Sequence, residues 1–208
     1  MTADSAGAIG WKKVIFDVSG SIQVGSDYCT VGKGGTTSTD GVYMGTSTDV
    51  QTNTVTNALI ATSSMKIYNV ATNKEIEATT TDTGWYVWNY TAGGARIGFV
   101  AKDEQTIAAG ETKTYELRGD ISYGGKSGDS LSVKIEERST ATSTNTYETL
   151  VGNGWNYGDQ FTAVTSTVPT FIWSDRSGAA ATHSMGTSDW TNDYQVSGLP
   201  TNSLTLSK

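Results

Sequence analysis

Apolar residues recur at every second position in several short stretches of this chain, and turn-forming residues close each stretch. Residues 11–18 form the first: Val14, Phe16 and Val18 fall on one face of a strand, and Trp11, Lys13, Ile15 and Asp17 on the other. Both faces carry apolar mass. Ser19-Gly20 reads as the end of that strand, and residues 25–41, rich in Gly, Thr and Ser, read as a loop. Residues 65–70 predict a second strand, which turns over 69–74 into the short run 75–79 as a hairpin. Residues 85–90 and 96–100 predict another, closed by Thr91-Ala92-Gly93-Gly94.

Further on, an apolar edge at 107–109 and a turn at Gly110 lead into alternation with Tyr115 and Leu117 on one face, which Ile121 continues. Residues 131–138 alternate more cleanly, with Leu131, Val133 and Ile135 inward and Ser132, Lys134, Glu136 and Arg138 outward. Weaker strands follow at 147–151, 161–165 and 170–173. No stretch makes a convincing helix; the most compatible run, 101–109, is broken by β-branched residues. About ten short strands, with turn signals between them, predict an all-β fold, an antiparallel β-sandwich or flattened barrel. Residues 1–173 read as the β-sandwich module, and 174–208 as a terminal hairpin or inter-module segment of the same domain.

Composition narrows the functional classes. The formal net charge is −7, so a surface built to release counterions from nucleic acid is not expected. Cys29 is the single cysteine, which leaves neither an internal disulfide nor a thiolate metal site within this chain. No apolar run approaches the roughly 20 residues of a membrane-spanning helix, so no membrane insertion is expected. No charged region followed by an apolar one precedes the first strand, and the chain reads as a module excised from a longer exported protein.

Five passages carry a resemblance: Ile9-Gly10-Trp11-Lys12-Lys13, residues 61–73, residues 107–120, Phe171-Ile172-Trp173-Ser174-Asp175 and Asp189-Trp190-Thr191-Asn192. Together and in this order they resemble modules of large cell-surface proteins from uncultured, ultrasmall bacteria of the candidate phyla. The resemblance implies an extracellular, cell-surface location and Ig-like β-sandwich units in a multi-module chain. It carries over no functional residue.

Several residues invite a chemical reading. Gly128-Asp129-Ser130-Leu131 matches the tetrapeptide around the nucleophile of a lipase and esterase family, but a strand follows where that family has a helix. His183, the single histidine, can be drawn with Ser184 and Asp189 as a triad, although neighbours on a strand point to opposite faces; an exposed loop histidine is the simpler reading. Glu75 with Glu77, or Glu136 with Glu137, are carboxylate pairs, but glycoside hydrolysis needs two carboxyls facing one cleft. No catalytic residue and no cofactor is assigned on these grounds. Loop aspartates at 27, 40, 82, 103, 120, 129 and 159 allow a structural calcium ion, without the spacing of a known loop. Lys13 is the nearest candidate for an internal Lys–Asn isopeptide bond, against the simpler reading of a lysine snorkelling from a strand edge.

The best binding signal is Trp85-Tyr86-Val87-Trp88-Asn89-Tyr90. Alternation sets Tyr86, Trp88 and Tyr90 on one face at roughly 7 Å intervals, a spacing suited to stacking sugar rings. Against it stands core packing, for which Trp and Tyr are equally suited.

The expectation is therefore a non-enzymatic structural or adhesive module of an exported surface protein. Its partners would be neighbouring modules or a further copy meeting it at a strand edge. The alternative is a carbohydrate-binding module that holds glycans on Tyr86, Trp88 and Tyr90. A serine hydrolase centred on Ser130 with His183 is the remote one.

Overall fold

A computed structural model describes residues 1–24, 27–33, 42–45, 57–60, 62–79, 84–91, 94–121, 127–137, 171–178, 182–191 and 196–207. Among these the chain is all-β, with antiparallel ladders throughout and two sheets in a sandwich-type arrangement. The strands are β1 (Ile9–Val24), β2 (Asp27–Lys33), β3 (Val42–Gly45), β4 (Asn57–Ile60), β5 (Lys66–Asn69), β6 (Lys74–Ile76) and β7 (Trp85–Thr91). They continue with β8 (Gly94–Ile107), β9 (Tyr115–Arg118), β10 (Ser130–Lys134), β11 (Phe171–Ser174), β12 (Trp190–Thr191) and β13 (Leu204–Ser207).

β1 organises the larger sheet. One of its sides pairs with β8 from Ile9 to Ser19 and then with β2; the other pairs with β11 from Gly10 to Val14 and with β10 from Asp17 to Ser21. β7 extends the sheet beyond β8, β12 beyond β11 and β13 beyond β10. The smaller sheet runs β6-β5-β9.

The core lies between the sheets. Trp11, Val14 and Phe99 meet Ile67 and Ile76 of the smaller sheet, and Val18, Ile97 and Leu131 form a second cluster with Ile60 and Met65. Trp11 is the bridge: Phe99 and Phe171 lie at 6.3 and 6.2 Å, and Tyr115 of β9 meets it edge-on at 5.0 Å. Each such aromatic, fully buried, contributes about 1.5–3 kcal/mol.

Three sequence expectations for β1 and its surroundings need correction. The strand does not end at Ser19-Gly20 but runs to Val24. Gly20 is there because β10 passes close: a Cβ would meet the Ser130 carbonyl oxygen at 2.6 Å. Trp11 is on the core side with Val14 and Phe16, because the ladder shifts between Trp11 and Lys13 and the extra residue reverses the alternation. And the stretch read as a loop from residue 25 contains β2.

The opposite side of β1 is buried as well. Lys13, Ile15 and Asp17 are all covered, with Asp17 receiving the Arg96 Nε–H at 3.2 Å from the register position directly across. Lys13 does not snorkel from an edge. It sits on the central strand between Val100 and Ile172 and is 1% exposed.

The hairpins at β5–β6 and β7–β8 form where alternation predicts them, and the alternation at Tyr115 and Leu117 falls on β9. The strand expected over 131–138 is the shorter β10, which ends at Lys134, and the one expected over 170–173 is β11, from Phe171 to Ser174. The expected strands at 147–151 and 161–165 lie outside the described residues. In the terminal segment, β12 pairs with β11 and β13 with β10, so both strands add to the larger sheet.

Candidate functional site

Glycine at position 10 makes room for a compact charged cluster. On β1 the ladder advances from Trp11 to Lys13 while on β8 it advances from Gln105 to Val100. The surplus residues of β8 turn away, with Ala101 bridging Ala78, and Glu104 folds over β1. A Cβ on Gly10 would lie 1.6 Å from Glu104 Oε1, so only glycine admits that carboxylate. The Lys12 ammonium donates to the Lys102 carbonyl at 2.7 Å on the same bulge. Burial lowers the Lys12 pKa, more than nearby Asp103 and Glu104 raise it.

Glu104 joins two elements from the far end of the chain. Its Oε1 accepts the Arg176 guanidinium at 2.7 Å, and its Oε2 lies 3.0 Å from His183 Nε2. Arg176 follows β11 in a left-handed conformation, φ 53°, a strained state for a residue other than glycine. Its N–H is held by Ser174 Oγ at 2.9 Å. On the other side of the ring, His183 Nδ1 lies 2.7 Å from Asp189 Oδ2. The imidazole stacks on Trp190 at 5.4 Å, and the Trp190 indole N–H closes the loop on the Ser184 carbonyl at 2.8 Å.

Asp189 is held from three directions: the Thr187 hydroxyl at 2.6 Å, His183, and the Gly178 N–H at 3.1 Å. Burial pushes its carboxyl up, but these hydrogen bonds together outweigh burial and hold it below the usual carboxylate range. Gly178 is the second glycine of the site, since a Cβ there would come within 2.9 Å of Asp189 Oδ2.

This is a closed arrangement. His183 and Asp189 side chains are each 3% exposed. Both ring nitrogens face carboxyl oxygens, Asp189 Oδ2 on one side and Glu104 Oε2 on the other. The expected exposed loop histidine is thus a buried one.

Asp189 does stand to His183 as the third member of a triad would, but the position a nucleophile would take is filled by Glu104. Ser184 instead accepts the Gly186 N–H at 3.2 Å. Nor does Ser130 meet the histidine: it pairs with Ser21 near one end of β1, while Glu104 covers Gly10 near the other, about 35 Å along the strand.

Three of the four paired glutamates are engaged by lysines. Glu75 binds Lys66 at 2.8 Å, Glu77 binds Lys102 at 2.7 Å, and Glu136 pairs with Lys134. Asp27 opens β2 and Asp103 is on β8, so these two are on strands and not in loops, while Asp120 follows β9 and Asp129 precedes β10; Asp40, Asp82 and Asp159 lie outside the described residues. Among the described residues no group of three or more His, Cys, Asp or Glu is placed to hold a metal ion, and no helix is long and apolar enough to cross a membrane.

For the aromatic strip, the backbone of β7 is described but the side chains of Tyr86, Trp88 and Tyr90 lie outside the described residues. Trp85 faces the core, 4.7 Å from Phe99. Tyr86 and Trp88 take register positions opposite Gly98 and Arg96, and the ladder shifts between Asn89 and Thr91.

A second feature was not foreseen: an apolar cleft of about 550 Å³ on the open side of the sandwich. Its floor is core, at Phe16, Met65 and Ile97. One wall is β9 with Leu117 and Ile121; the other is β10 and β13 with Val133, Leu204 and Leu206. Among the described residues β9 ends the smaller sheet and β13 pairs with β10 alone. Leu204 and Leu206 are 71% and 47% exposed. Comparison with protein-family models, with curated proteins and with solved structures finds no match.

Proposed function

We propose that this chain is a structural or adhesive module of an exported, multi-module surface protein, its body an Ig-like β-sandwich, and that it acts by contact. One observation carries the proposal: β9 and β13, which among the described residues each have a strand on one side alone, flank an open apolar cleft, and β13 turns two leucines outward. Single exposed leucines are ordinary, but a strand edge with its apolar face uncovered is a template for another chain. The ionisable cluster around His183 supports the same view from the other side, because its groups are spent on one another and hold chain segments together.

The test is adhesion. Beads coated with the purified module are expected to cluster or to attach to cell surfaces, and beads that stay dispersed and unattached would remove this function. Turnover of an ester or glycoside by the folded module would replace it with an enzymatic one.

A further inference from the structure

We propose that the open side of the sandwich receives a second copy of this chain, with the two β13 strands pairing antiparallel about a two-fold axis. This rests on the contact function above and names its partner. β13 is Leu204-Thr205-Leu206-Ser207, held on one side by β10 with Val133 opposite Leu204 and Leu131 opposite Leu206. Leu131 belongs to the core, and directly opposite residues share a face, so the two leucines carry the core face outward past the end of the smaller sheet.

A strand with leucines two apart is complementary to itself. In the antiparallel register centred on Thr205, Leu204 of one copy faces Leu206 of the other on both sides of the axis. All four leucines then share one face. This is the isologous contact that a closed dimer requires. The joined sheet brings the two clefts together beneath the leucines, so apolar walls that each copy leaves open cover one another.

Charge singles out the same surface. Each copy carries a net charge of −7, and two such bodies repel unless the surfaces that meet are neutral. β13 has no charged residue. The ions beside the cleft close on themselves, Glu116 with Arg118 at 2.7 Å and Lys134 with Glu136. The described ions that line the open side are thus paired, and β13 itself adds no charge to it.

Sedimentation of the whole chain from about 10 µM to about 1 mM reads the association directly, since a dimer fraction rises with concentration. The expected mass doubles over that range. Leu204→Lys with Leu206→Lys should stay monomeric at every concentration with unchanged circular dichroism and Tm, both side chains being exposed. The register has its own test. Thr205→Cys in a Cys29→Ser background places the two new thiols directly opposite each other, at the roughly 4.5–5.5 Å Cβ separation of facing strand residues, so a mild oxidant should join the copies covalently. A monomer at every concentration, a lysine variant that dimerises as the wild type does, or a dimer that Thr205→Cys fails to join would each overturn the proposal. Beads that attach to cells while the protein stays monomeric would leave the contact function standing and remove the second copy as its partner.

Discussion

Gly10 and Glu104 compete for one place: a Cβ on Gly10 would fall 1.6 Å from Glu104 Oε1 and 2.8 Å from its Cγ. Gly10→Ala should therefore displace the Glu104 side chain and cost about 1–3 kcal/mol, as overpacking does. For a chain of this length each kcal/mol lowers Tm by about 2–4 °C. The clash is specific, so in a Glu104→Ala background the same substitution should be close to neutral. Thermal unfolding of the double-mutant cycle measures that non-additivity.

His183 stands between two carboxylates at 2.7 and 3.0 Å. Its removal leaves Asp189 and Glu104 facing each other in a buried space, and His183→Ala should cost about 3–5 kcal/mol in urea unfolding. His183→Gln keeps one donor group and should lose less.

Asp189 gives the site a pH signature. Its folded pKa lies below the unfolded value of about 3.9, so its contribution is fully present above that value and is lost as pH falls through the folded pKa. Stability of the wild type should decline in acid. Asp189→Asn should be less stable at neutral pH, with a flatter acid limb, as denaturant midpoints over about pH 2–7 will read.

At the other end of β1, Gly20 meets backbone instead of a side chain. A Cβ there would lie 2.6 Å from the Ser130 carbonyl oxygen, which cannot swing aside as Glu104 can. Gly20→Ala should push β10 from β1 and cost at least as much as Gly10→Ala. Faster amide exchange in Leu131 and Val133, compared with the wild type, would locate the damage.

Much of the sheet was legible because period-two alternation survives wherever one face meets the core, as in Leu131 and Val133 or Tyr115 and Leu117. It failed where backbone contacts decide. The bulge at Lys12 turned Trp11 to the other side, and Gly20 resembled a strand end when its task is close approach. The charged cluster was half legible: Asp189 was paired with His183 from sequence. Glu104 was missed because 79 residues separate it from His183, and the one local sign was a glycine inside an otherwise apolar strand at Ile9-Gly10-Trp11. The cleft was not legible at all, since it depends on which strands end up at the edges of the two sheets.

Adhesion of beads coated with wild-type module or with the Leu204→Lys, Leu206→Lys variant tests the central claim most directly. Wild-type beads should cluster or attach while variant beads, carrying an equally folded protein, should do neither. Equal adhesion by both would show that the open side between β9 and β13 is not the contact surface.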